Sequence, residues 1–201
     1  MVRVATKDDV KRMVAVHQES FPGFFLSALG APFLSQYYRG ILAAPEGIAY
    51  VYLNQAGEPA GFVAGTANPR GFYRRLLRRS WHKFALAALV PVLKRPRIAG
   101  RVARALVHPS GNPVGDHVAG LYSIGVLPEL QGTGAGKKLV GAFLDEAARR
   151  GCRRVFLTTD RDGNDPVNAF YAGLGFQVER HFETPEGRRM NEYWITLGGE
   201  T

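Results

Sequence analysis

LPELQGTGAGKKLVGAFLDEA, Leu127 to Ala147, sets three alternating glycines and two lysines at the start of a helical pattern. Leu139, Val140, Phe143, Leu144 and Ala147 recur on one helix face, so the glycines fall in the preceding turn and the first residues of the helix. A helix start carries partial positive charge and ordinarily favours acids. Lys137 and Lys138 run against that preference unless an anion binds beside them. Several free backbone N–H groups converge at such a start, and glycines keep side chains out of a ligand's way. The pattern therefore points to a phosphate site, with a merely solvated outer face as the plain alternative for the lysines.

The flanks define the setting. HVAGLYSIGV (His117–Val126) reads as a strand entering the turn, and Gly151 is placed to cap the helix leaving it. RRVFLTT (Arg153–Thr159) is a short apolar strand of the kind buried in a sheet. Asp165-Pro166 opens a further helix with Gly175 beyond its end, and FQVERHFET with RRMNEYWITL closes the chain as an antiparallel pair. Towards the N-terminus, VRVA is a strand, Thr6 an N-cap, and Val10, Met13, Val14 and Val16 a helical face. Phe21 to Ala44 reads as one or two helices broken around Gly30 to Pro32. IAYVYLNQAGEPAGFVAGTA (Ile48–Ala67) is a hairpin turning at Gly57. The sum is an α/β or α+β domain with a mixed, mostly antiparallel sheet flanked by helices.

Two nucleotide signatures fail on spacing. A Walker A loop requires a glycine and a hydroxyl where this chain has Gln131 and Lys138, and the dinucleotide fingerprint requires glycine at Lys137. The run Gln131-x-x-Gly134-x-Gly136 instead resembles the pyrophosphate-binding signature of the GCN5-related N-acetyltransferase (GNAT) superfamily. A second segment agrees with it. Asn164-Asp-Pro-Val167-Asn168-Ala-Phe170-Tyr171-Ala-Gly-Leu-Gly175-Phe176 is similar to the superfamily's Asn-x-x-Ala-x-x-Phe-Tyr-x-x-x-Gly-Phe, departing only at Val167. The strong resemblance covers about 118–182 and suggests a bacterial member whose single domain spans 1–201.

The resemblance implies acetyl-coenzyme A as co-substrate, lying in a V between strands that splay apart, Ser123–Val126 and Val155–Thr158. Gln131, Gly132, Thr133, Gly134, Ala135, Gly136 and Lys137 would hold the pyrophosphate. Backbone groups of Ile124 and Val126 would receive the pantetheine arm and polarise the thioester carbonyl. Gly125 suits either a bulge that turns N–H groups to the ligand or close packing. Tyr171 takes the position of the general acid that protonates the departing thiolate, and Asn164 and Asn168 match amides that contact the cofactor; helix capping is the other reading of Asn164. No base is assigned. The strand offers Tyr122 and Ser123 but no carboxylate, Glu129 lies beyond it, and Glu19, Asp160, Asp162 and Glu192 read as solvated acids. The expected acceptor is a primary amine of a small molecule or amino sugar. Protein amino-terminal or lysine acetylation, and a non-catalytic coenzyme A-binding or membrane-associated module, are the alternatives.

Composition bounds the rest. With 201 residues, 46% hydrophobic, the chain builds a full core. One cysteine, Cys152, and no signal-like N-terminus fit a reducing cytosol. No metal is expected: the five histidines lack ligand spacing, and Asp160-x-Asp162-x-Asn164 departs from a calcium loop at Asp165 and Tyr171. The net charge of +9 is local. No acid occurs between Glu58 and Asp116, where eleven basic residues lie between Arg70 and Arg104, leaving 15 basic against 17 acidic residues elsewhere. This basic helical insertion, about 68–108, has three readings: a packed lid with solvated arginines, a peripheral contact with anionic membrane on the inner face that seats Phe72, Trp81 and Phe84, or a wall for an anionic acceptor. Nucleic acid has no supporting motif, and a homodimer is left open.

Overall fold

The computed structural model describes residues 1–94, 100 and 115–198. Its first half runs β1 (Val2–Val4), a 3₁₀ turn (Lys7–Asp9), α1 (Val10–Ser20), α2 (Phe25–Ala28), α3 (Gly30–Ala43), β2 (Gly47–Leu53), β3 (Pro59–Thr66) and α4 (Phe72–Lys94). The second half runs β4 (Val118–Val126), a 3₁₀ turn (Pro128–Leu130), α5 (Ala135–Arg149), β5 (Arg154–Asp160), α6 (Asp165–Gly173), β6 (Gln177–Glu183) and β7 (Arg189–Thr196). Among the described residues seven strands form one sheet in the order β1-β2-β3-β4-β5-β7-β6. Every pairing is antiparallel except that of β4 with β5.

Alternation along the strands builds two cores, one on each face of the sheet. Ala49, Val51, Phe62 and Ala64 face α1, α3 and α4, where Met13, Leu34, Tyr38, Ile41, Phe72 and Phe84 are buried. Ile48, Val63, Leu121, Val155 and Leu157 face the other way, onto Leu139, Val140 and Phe143 of α5 and Tyr171 of α6. A fully buried ring such as Phe143 stabilises by about 1.5–3 kcal/mol. The first helix is anchored at its entry, where Asp9 accepts from the Thr6 backbone amide at 2.7 Å and from both Arg3 guanidinium nitrogens at 2.7 Å.

The expected break near Gly30 falls between α2 and α3, with Gly30 at φ +80. α4 continues through Pro91 and bends at Ser80, whose backbone (φ −147, ψ 31) leaves helical geometry. Of the insertion expected at about 68–108, residues 95–99 and 101–108 lie outside the described residues. Phe72 and Phe84 sit in the core rather than at a surface, because each falls on the α4 face turned to the sheet; Trp81 is exposed.

Candidate active site

The cleft begins where the sheet opens. β4 pairs with β5 only from Val118–Arg154 to Gly120–Phe156, although β4 continues to Val126 and β5 to Asp160. Each strand keeps its other partner, β3 and β7, along its length. Among the described residues the β4 backbone groups facing β5 have no strand partner from Leu121 onward, and the same holds on β5 from Leu157. The gap is a cleft of about 780 Å³ lined by Leu121–Val126, Leu157–Asp160, the glycine turn and α6.

A bulge sets which residues of β4 look where. Ala64 pairs with Ser123 and Gly65 with Leu121, so Tyr122 is the extra residue. Its insertion reverses the alternation: Ala119 and Leu121 face the α5 core before it, and Ile124 and Val126 face that core after it. The bulge thus lies at Tyr122 and not at Gly125, which pairs in register with Phe62. Gly125 is a close-packing glycine; a Cβ there would stand 2.8 Å from Ser20 Oγ and 3.1 Å from Phe62.

The turn after β4 delivers donors to the cleft. Gly132 (φ +75) and Gly134 (φ +83) adopt left-handed backbone that side chains strain. Gly134 is the N-cap of α5, the first helical bond runs from Lys138 N–H to the Gly134 carbonyl at 3.0 Å, and no acid occupies the first turn. Among the described residues the amides of Gly134, Ala135, Gly136 and Lys137 therefore have no backbone acceptor. Gly136 serves differently: a Cβ would meet Phe170 at 3.3 Å, so this glycine lets α6 close on α5. Gln131, Gly132, Gly134, Gly136 and Lys137 line the cleft. The Thr133 hydroxyl instead bonds back to the Leu130 carbonyl at 2.7 Å, and Ala135 is buried.

Tyr171 enters from α6. Gly175 (φ +88) ends that helix in a Schellman motif, Phe176 N–H bonding to the Tyr171 carbonyl at 3.1 Å and Gly175 N–H to that of Ala172 at 3.0 Å. The same motif brings the Phe176 ring edge-on to Tyr171 at 5.6 Å, with Tyr193 at 5.9 Å behind it. Held this way, Tyr171 is 4% exposed and lines the cleft. Burial drives its phenol well above the ordinary range, so the proton stays on oxygen.

The two asparagines part company. Asn164 lines the cleft, donates to the Asp160 carbonyl at 3.2 Å and makes no side-chain cap bond. Asn168 is not among the lining residues. Its amide accepts from Thr159 Oγ1 at 2.8 Å, from Asn191 and from Tyr193, and donates to the Asp160 and Arg161 carbonyls, stitching α6 to β5 and β7. In this structure the Asn168 side chain is taken up by these internal bonds.

The other end of the cleft is built from side chains far apart along the chain. Ser20, Phe21 and Phe24 close it from α1 and the following loop, and Arg188 and Met190 from the β6–β7 hairpin. Arg188 clamps the Asp160 carboxylate with contacts of 2.7–3.0 Å and stacks over the Phe24 ring at 5.3 Å. Asp160 is therefore ion-paired rather than solvated, and Glu192 is buried against Arg180 and the Trp194 indole N–H at 2.7 and 3.0 Å. Behind β4, the Tyr37 ring packs against Tyr38 at 5.2 Å and stacks with Tyr73 at 6.5 Å. Burial pushes Tyr37 up to about 12 and raises Tyr38 and Tyr73 well above the ordinary phenol range. Tyr38 also meets His17 Nδ1 at 2.6 Å, and the buried His17 is pushed down to about 4. Among the described residues no three potential ligands gather as a metal site.

A sheet opened between one parallel pair, with a glycine turn at one lip and a buried tyrosine at the other, is the architecture of an acetyltransferase. Residues 10–176 match the acetyltransferase (GNAT) family, and the chain belongs to that family. A mycothiol acetyltransferase from Nocardioides sp. is 43% identical over 74 residues, 35% of this chain; the chain spans about a quarter of the length of that relative, 25%. The fold is shared with an N-acetyltransferase from Staphylococcus aureus (TM-score 0.62, 13% identity, 98% of each chain). It is also shared with an aminoglycoside 6'-N-acetyltransferase complexed with coenzyme A (TM-score 0.60, 14% identity, 100% of this chain and 99% of that one).

Proposed function

We propose that the chain transfers an acetyl group from acetyl-coenzyme A directly to a primary amine of a small molecule or amino sugar. One observation carries the reading: four backbone amides without a backbone acceptor and a protonated, buried tyrosine line or border the same cleft. The names of the mycothiol and aminoglycoside acetyltransferases agree with an amine on a polar small molecule.

The residues fit coenzyme A. The amides of Gly134 to Lys137 suit its diphosphate, reinforced by the α5 dipole and the Lys137 ammonium. The open edge of β4 at Ile124, Gly125 and Val126 suits the amide groups of the pantetheine arm, and Asn164 borders the same wall. Coenzyme A supplies the activated acetyl group as a thioester. A β4 amide donating to the thioester oxygen stabilises the charge that develops there as the amine attacks. The N–C bond forms, the C–S bond breaks, and Tyr171 gives its hydroxyl proton to the sulfur, to be reprotonated from solvent before the next turnover. The acceptor enters between Phe21, Phe24 and Arg188. Its surplus proton leaves to solvent, since the one carboxylate lining the cleft among the described residues, Asp160, is held by Arg188.

The test has two arms. Calorimetry with coenzyme A measures the cofactor site, and release of free thiol against amino sugars, polyamines, aminoglycosides and peptides measures transfer and chooses the acceptor. Coenzyme A binding without thiol release for any amine points to a binding module. Failure of both arms removes the reading.

A further inference from the structure

α4 is apolar on two opposite faces, and among the described residues only one of them is covered. Phe84 and Ala88 are buried in the core at 2% and 5% exposure. Leu86, Leu89 and Leu93 project from the reverse of the same helix at 73%, 51% and 72%, and Trp81, on the flank between that face and the buried one, is 67% exposed. At 100° per residue the three leucines fall within a narrow stripe turned away from Phe84. A soluble helix ordinarily carries charge on that side, so the stripe wants an occupant.

Charge identifies it. Arg74, Arg78, Arg79 and Lys83 are exposed on the same helix, and no acidic residue interrupts the sequence between Glu58 and Asp116. The bend at Ser80 divides α4 into a basic first half and an apolar second half. A second copy of the chain would set one basic segment against another. A nucleic acid would answer the arginines and leave the leucines in water. An anionic bilayer answers both, since its phosphates neutralise the basic half while its acyl boundary takes the leucines. The membrane contact, one of three readings of the sequence, therefore keeps Trp81, loses Phe72 and Phe84 to the core, and gains the leucine stripe. We propose that α4 docks this protein on anionic lipid surfaces, with Leu86, Leu89 and Leu93 in the headgroup–acyl boundary and Arg78, Arg79 and Lys83 on lipid phosphates. No helix among the described residues is long and apolar enough to cross a membrane, and a helix lying in the interface does not need to be.

The docking helix also reaches the cleft. Phe72 and Tyr73, at its start, pack against the bulged Tyr122 of the cleft wall at 5.7 and 5.0 Å. Docking thus brings the acetyl-transfer cleft near the lipid surface, although the docking itself does not depend on the catalytic reading.

The test is sedimentation of the full chain with vesicles of phosphatidylcholine alone and of phosphatidylcholine with about one third phosphatidylglycerol, together with Trp81 emission. Binding confined to the anionic vesicles, a blue shift that Trp81→Ser abolishes, and about tenfold weaker binding for Leu86→Ser/Leu89→Ser/Leu93→Ser are expected. Arg78→Gln/Arg79→Gln/Lys83→Gln should weaken binding similarly and reduce its salt dependence. The leucine variant should keep the wild-type melting temperature, because its stripe supports no core. No binding to either vesicle overturns the proposal. So does salt-sensitive binding that the leucine changes leave untouched, a leucine variant that melts early because its own chain covers the stripe, or a concentration-dependent dimer that those changes dissolve.

Discussion

The two ends of the cleft are made of different material. At the end proposed to take coenzyme A the lining groups are backbone amides, fixed by left-handed glycines, a helix start and the open edge of β4. At the end proposed to take the acceptor they are side chains drawn from α1, the α2 approach, β5 and the β6–β7 hairpin, tied by Arg188 to Asp160 and Phe24. Backbone geometry answers to a few residues whose neighbours in sequence are also neighbours in space. A side-chain wall answers to the whole fold, and it can be rebuilt residue by residue without disturbing the sheet.

Substitutions should separate the two ends. The largest effect is expected from Tyr171→Phe, which removes the proton donor: kcat for thiol release should fall about 10²–10⁴-fold. Coenzyme A affinity by calorimetry and the melting temperature should stay near wild type, since the Tyr171 hydroxyl makes no hydrogen bond among the described residues. Gly134→Val should weaken coenzyme A about 100-fold by distorting the amides, with about 1–2 kcal/mol of lost stability from a left-handed valine, and no change in the ranking of acceptors.

His17 probes the packing behind the wall. Its folded value, about 4, lies below the ordinary imidazole value of 6.5, so its contribution is complete above pH 6.5 and is lost as pH falls towards 4. Urea unfolding should show about 2 kcal/mol less stability at pH 5 than at pH 7, and His17→Gln should remove that slope. The smallest effect belongs to Arg188→Gln, which should raise KM for the amine about fivefold and leave coenzyme A binding unchanged. An equal loss of coenzyme A affinity there would erase the division between the ends.

What could be read in the sequence follows the same division. The strand–glycine turn–helix order around Gln131 to Lys137 was legible because left-handed turns and helix starts are local and leave glycine and spacing as their trace. Tyr171 was legible through its Phe-Tyr and Gly-Phe neighbours, which are the residues of its own helix cap. The bulge was not: it falls at Tyr122, and it is visible only once β3 supplies the register. Asn168 looked like a ligand because its contacts to Thr159, Asn191 and Tyr193 come from two other strands. Nor does anything along the chain announce that Tyr37, Tyr38 and Tyr73 gather in one cluster, or that a helix tolerating Pro91 bends instead at Ser80.

The parallel seam between β4 and β5 is three rungs long, and Gly120 sits at its last rung, where a Cβ would stand 2.9 Å from both Phe156 and Tyr122. Mechanically that glycine is a fulcrum. A small wedge there tilts two half-sheets whose far ends lie several residues away, so a methyl group placed at the seam reaches the catalytic mouth by leverage rather than by contact.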